Sequence, residues 1–230
     1  MLKINNYSNT ILKDISFSLE NQNLIILGSN GVGKTTLAKV LCGLLSSDEV
    51  SIDDINPSKV YGDKRTKLIN YIPAKLEIFD EFLSVYEFLE LSDISSDKSI
   101  DEVLEVLEIS YLKDKPSKYL SSGESQLLLL ASGILHNAKY TILDEATSNL
   151  DPQRVKKVYS ILKDSTLFQS KIIITHNLNL AYKLGYDILY LQCGEIKYHK
   201  TNKEFFSKQN LDELFENSVK VVDDNVVIEL

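Results

Sequence analysis

Apolar and polar positions alternate at the start of the chain: Leu2 and Ile4, then Ile15, Phe17 and Leu19, each separated by polar neighbours. Period two predicts antiparallel strands within residues 1 to about 27. The alternation then closes up into Leu24-Ile25-Ile26-Leu27, a short buried strand, and Thr35 to Leu45 reads as an apolar-rich helix. Val50-Ser51-Ile52 and Leu68 to Ile72 read as two more short strands. From Ser84 the spacing becomes helical, with Val85, Phe88 and Leu89, then Ile100, Val103, Leu104, Val106 and Leu107. The polar stretch Ser92 to Ser99 separates two helices, and about 75 to 135 reads as an inserted helical lobe. Leu127 to Leu135 fits a buried core helix. It is far short of the roughly 20 residues that span a bilayer.

Strand signals resume at Tyr140 to Leu143 and Ile172 to Thr175, with a helix around Arg154 to Leu162 between them. Ile188 to Leu191 and Ile196 to Tyr198 flank Cys193-Gly194 and suggest a terminal hairpin. Strands alternating with helices predict an α/β fold with a mostly parallel sheet covered on both faces. In such sheets ligands bind at the carboxyl ends of strands.

Composition narrows the class. The 230 residues include 43% apolar side chains, enough for a substantial core, and carry a net charge of -8. Arginine occurs only at Arg65 and Arg154, so no basic patch points to nucleic acid. Cys42 and Cys193 lie far apart without metal-ligand spacing, which fits reduced thiols in a cytosol. The start, Met1-Leu2-Lys3-Ile4-Asn5-Asn6, is too polar for a secretory signal.

Gly28-Ser29-Asn30-Gly31-Val32-Gly33-Lys34-Thr35 matches G-x-x-x-x-G-K-[ST], a loop that wraps nucleotide phosphates. It stands between a buried strand and a helix, where backbone N–H groups and the helix dipole can meet an anion. Lys34 can reach the β- and γ-phosphates, and the Thr35 hydroxyl can ligate Mg²⁺. The plain alternative is a glycine turn between strand and helix. Asp144 and Glu145 end the run Tyr140-Thr141-Ile142-Leu143. One carboxylate there can hold Mg²⁺ and the next can deprotonate a water; a solvated acidic turn is the alternative. His176 follows another strand, where it could polarise the γ-phosphate and the attacking water or simply satisfy a turn. His136 and His199 lack this setting. Leu120-Ser121-Ser122-Gly123-Glu124 offers N–H groups and hydroxyls at a helix start, as an ordinary N-cap also does.

In this order, with Ser148-Asn149-Leu150-Asp151 added, the motifs resemble the ATP-binding-cassette (ABC) ATPases over nearly the whole chain. The resemblance implies a P-loop NTPase of ABC type, with an N-terminal antiparallel β subdomain and a single nucleotide-binding domain over 1–230. Its RecA-like core would be about 1–74 and 136–230, and its helical signature lobe about 75–135. Gly28, Ser29, Asn30, Gly31, Val32, Gly33, Lys34, Thr35 and Thr36 look like Walker A, and Tyr140 to Asp144 like Walker B. Glu145 matches the catalytic base and His176 the switch histidine. Ser148 to Asp151 is similar to the D-loop. Ser121, Ser122, Gly123 and Glu124 look like the signature that contacts the γ-phosphate held by the opposite subunit. Tyr7 falls where the family stacks an aromatic on adenine; a ring packed in a strand edge is the alternative. Ala74 stands where the family usually has a glutamine that contacts Mg²⁺ and water, and Leu127 where an arginine is usual.

The resemblance further implies ATP and Mg²⁺ as cofactors and a homodimer, or a heterodimer with a related ABC ATPase, with ATP sandwiched head to tail. It implies integral membrane permease subunits as separate chains and a cytoplasmic, peripheral place on the inner face of the cell membrane. Asp144 to Pro152 is similar to energy-coupling-factor importers, and Leu-Ser-Ser-Gly-Glu to metal-chelate importers. Both favour trace-nutrient uptake. An exporter ATPase and a soluble ABC ATPase of cluster-assembly type are the alternatives.

Overall fold

The computed structural model describes residues 1–77, 80–94, 96–148, 150–164 and 166–228. In chain order the strands and helices are β1 (Leu2–Tyr7), β2 (Ile15–Leu19), β3 (Leu24–Leu27), α1 (Lys34–Leu41), β4 (Val50–Ile52), α2 (Asp63–Thr66) and β5 (Ile69–Ile72). Then come α3 (Val85–Glu90), α4 (Ile100–Val106), α5 (Ser122–His136), β6 (Tyr140–Asp144), α6 (Pro152–Lys163) and β7 (Lys171–Thr175). The chain continues through α7 (Leu178–Leu184), β8 (Asp187–Gln192), β9 (Glu195–Lys200), α8 (Asn202–Phe205), α9 (Lys208–Phe215), β10 (Val219–Val222) and β11 (Asn225–Ile228).

The alternating N-terminal residues pair as expected. β1 lies between β2 and β4 in a three-stranded antiparallel sheet. The continuous apolar runs go elsewhere, into a six-stranded sheet of order β5-β6-β7-β3-β8-β9. It is parallel from β5 through β8 and antiparallel only at β8–β9. Period two explains the unbroken runs, because both faces are covered. Leu24 and Ile26 of β3 join the apolar cluster shared with α1 and the three-stranded sheet. Ile25 and Leu27 join the opposite cluster, which holds the apolar faces of α3 to α7.

Helix α1 ends at Leu41, short of the sequence-predicted Leu45, for a steric reason. Gly43 takes φ +69, and a Cβ there would meet the Pro57 backbone at 2.6 Å. Only glycine fits a left-handed turn so close to another backbone. The β8–β9 hairpin forms around Cys193-Gly194, but α8, α9 and the β10–β11 hairpin follow it. This last hairpin packs back on α7, with the Val226 N–H donating to Asn179 Oδ1 at 3.1 Å. No helix among the described residues is long and apolar enough to cross a membrane.

Candidate functional site

Strand order brings the site together. β6, β7 and β3 are neighbours, so the residues just past their carboxyl ends, Glu145, His176 and Gly28, lie side by side. The loop after β3 turns tightly against the sheet. A Cβ on Gly28 would meet the Leu191 carbonyl oxygen at 2.6 Å. Gly33 takes φ +110 at the N-cap of α1, and Lys34 is that helix's first residue. A cavity of about 390 Å³ opens there, lined by Asn30, Gly31, Gly33, Thr36 and the four chemical side chains Lys34, Thr35, Asp144 and Glu145.

Lys34 is buried, and its ammonium donates to the carbonyls of Gly28 at 2.7 Å and Ser29 at 2.9 Å. Burial pulls its pKa below the usual lysine range, against the opposing charges of Glu145 and Asp144. A phosphate entering the cavity would meet this cation at the positive end of α1.

Thr35 donates its hydroxyl to Asp144 Oδ2 at 2.7 Å. A hydroxyl and a carboxylate this close form a hard, all-oxygen donor pair, the chemistry Mg²⁺ prefers. Among the described residues no group of three or more His, Cys, Asp or Glu could hold a metal. A pair of oxygen donors leaves room for phosphate oxygens and waters, which Mg²⁺ commonly keeps in its shell. Tyr71, which the sequence reading passed over as a strand residue, also donates to Asp144 Oδ2, at 2.9 Å.

Glu145 takes a left-handed backbone, φ +53, its N–H held by the Ile174 carbonyl at 2.9 Å. That turn aims its carboxylate toward β7, where Oε1 lies 2.8 Å from His176 Nδ1. The carboxylate is largely enclosed and the imidazole largely exposed, at 18% and 59% side-chain exposure. A largely enclosed carboxylate oriented by an imidazole at this cavity has the chemistry to accept a proton from a water there.

The remaining expected residues lie outside this cavity. Ser121 caps α5 and shares a reciprocal capping box with Glu124, whose carboxylate accepts from the Ser121 N–H at 2.7 Å. Burial alone would raise the Glu124 pKa, but the Ser121 N–H and the Lys115 ammonium outweigh it and hold it low. Ser122 follows as the first residue of the helix. A Cβ on Gly123 would collide with Arg154 Nη1, so the guanidinium lies directly on this glycine. Asp151 caps α6, accepting from the Gln153 and Arg154 N–H groups at 3.0 Å each. Asn149 of the same motif lies outside the described residues. Tyr7 is 8% exposed, packed in the core with its hydroxyl accepting from Asn9 Nδ2. Ile11, 44% exposed, lines the cavity. His136 Nε2 lies 2.9 Å from the Thr66 carbonyl, and His199 packs edge-on against Phe17.

The family model described as "ABC transporter" matches residues 12–148. A putative ABC transporter ATP-binding protein of Pyrococcus horikoshii is 32% identical over 207 residues, covering 86% of this chain and 80% of that protein. The energy-coupling factor transporter ATP-binding protein EcfA1 of Fusobacterium nucleatum is 31% identical, covering 100% of this chain and 96% of its own length. Among solved structures, a dimeric ATP-binding cassette in a post-hydrolysis state with ADP and phosphate superimposes with a TM-score of 0.70 at 22% identity, over 88% of this chain and 99% of that one. That last likeness is one of fold. With the family model spanning more than half the chain and relatives above 30% identity along most of it, the chain belongs to the ABC transporter family as an ATP-binding subunit.

Proposed function

We propose that this chain hydrolyses ATP to drive a membrane transporter, and that it works as a head-to-tail pair. The observation that carries the reading is the Glu145–His176 contact at 2.8 Å beside the Lys34, Thr35 and Asp144 side chains. In this reading the loop from Gly28 to Thr36 wraps the phosphates. Lys34 exchanges the Gly28 and Ser29 carbonyls for phosphate oxygens, so its charge is neutralised without a new desolvation cost. Thr35 and Asp144 would hold Mg²⁺, which when bound supplies positive charge to the phosphate oxygens. Glu145 accepts a proton from the attacking water, and His176 keeps the Glu145 carboxylate aimed at it.

Ser121, Ser122 and Gly123 do not line the phosphate cavity of their own chain. Their role is therefore to close the cavity of a second copy, or of a related ATPase, with Asp151 at the same interface. The helical stretch of about 75–135 acts as the lobe that carries them, and 1–74 with 136–230 as the core. ATP then serves as the glue of the pair, and its cleavage releases it. Likeness to an energy-coupling factor transporter ATPase over all of this chain and 96% of that protein supports trace-nutrient import. The transport path would belong to separate permease subunits, with this chain held peripherally on the inner face of the membrane. Affinity capture of the tagged chain from native membranes tests this. A multi-span protein should co-purify; only soluble companions would overturn the transport role.

A further inference from the structure

We propose that Tyr71 is a positioning residue of the nucleotide site, its phenol supplying the fixed polar group that Ala74 cannot provide. Three observations meet here. Tyr71 donates to Asp144 Oδ2 at 2.9 Å, the same oxygen that accepts from Thr35 at 2.7 Å. Two O–H donors converging on one oxygen fix the carboxylate in place. Second, a cavity of about 680 Å³ runs beside this cluster, and Thr35, Tyr71, Ala74 and Asp144 all line it. The methyl of Ala74 faces that space with nothing to donate or accept, so the phenol is the polar side chain that β5 sends to Asp144. Third, register makes the contact dependable. β5 and β6 pair in parallel with Tyr71 opposite Ile142 and Ile72 opposite Leu143, which sets the ring one step before the acidic end of β6.

A phenol hydroxyl orients the carboxylate without the positive charge by which a lysine or arginine would compete with the cation that the carboxylate is to bind.

This inference rests on Asp144 being the magnesium carboxylate, and the test separates the two. Binding of a fluorescent ATP analogue is measured with the full-length chain, with Mg²⁺ and with EDTA, and the ratio of affinities is compared among variants. Tyr71→Phe removes one oxygen and keeps the ring. Its EDTA affinity should match the wild type, while the Mg²⁺ needed for half-maximal enhancement rises about tenfold, as for one lost hydrogen bond to a charged group. Tyr71→Phe combined with Ala74→Gln should recover most of that loss. An unchanged Mg²⁺ requirement in Tyr71→Phe, with Asp144→Asn abolishing the enhancement, would overturn the inference alone. An Asp144→Asn chain that keeps the full enhancement would overturn the reading beneath it.

Discussion

His176 Nδ1 and Glu145 Oε1 stand 2.8 Å apart across the carboxyl ends of two adjacent parallel strands. The carboxylate can only accept, so Nδ1 carries the proton and Nε2 faces away from Glu145. This contact links the proposed base to an exposed ring that a second chain or a phosphate can reach. Glu145→Gln keeps the shape and loses the basicity. ATP binding should persist, hydrolysis should fall by about 10² to 10⁴-fold, and ATP should hold the variant as a dimer in sedimentation runs. Hydrolysis at the wild-type rate would remove Glu145 from the chemistry.

Lys34 spends its ammonium on two carbonyls of its own loop, Gly28 and Ser29. Phosphates would take over those contacts as charge-assisted bonds. Lys34→Ala should weaken ATP binding by about 10²-fold or more, the worth of two such bonds. Thermal stability without nucleotide should shift little, because the cost of burying the cation disappears with it. Titration calorimetry and a melt of the same sample report both, and full ATP affinity in Lys34→Ala would refute the phosphate-loop role.

Much of this was legible because it is local. The glycine loop, the acidic strand end and the strand-end histidine each read from a few adjacent residues, and strand order then gathered them. The sequence left out what depends on pairing between distant segments. Tyr71 reads as one more apolar position until β5 is set beside β6. Arg154 reads as a helix surface charge until it is seen lying on Gly123. The β10–β11 hairpin was missed because its strands pair only with each other and bury little beyond Val219. Its turn residues Asp223 and Asp224 both take positive φ, a turn chemistry that Asp tolerates and that gave a faint signal.

The Gly123–Arg154 contact separates stability from signature function. Gly123 sits inside the first turn of α5, where alanine is the better helix former by up to about 1 kcal/mol. The added methyl would strike the far end of a flexible side chain, which can swing away. Gly123→Ala should therefore melt within about 1 kcal/mol of the wild type. Displacing the guanidinium from the proposed signature should nevertheless weaken ATP-driven dimerisation. Sedimentation of Gly123→Ala in the Glu145→Gln background measures this, and an undiminished dimer would show that Arg154 does not shape the interface.

Lys171 offers a test of the core itself. It opens β7 fully buried, its ammonium donating to the Asp164 carbonyl at 2.7 Å and lying 5.8 Å from the ring centroids of Phe168 and Tyr186. Burial lowers its pKa to about 8, against the pull of the Asp164 charge. Between that value and the ordinary lysine pKa the unfolded chain binds more protons than the folded one. This group's contribution to stability therefore rises with pH across the window. Below pH 8 the folded protein carries the buried cation at full cost. Lys171→Met keeps the apolar stem and removes the charge. Comparing urea unfolding at pH 7 and pH 10.5, the variant should lose ground to the wild type by up to about 3 kcal/mol. Cys42 and the buried tyrosines titrate in both proteins and cancel in the difference. A gap between variant and wild type that stays constant with pH would mean that Lys171 is not held at a cost in the fold.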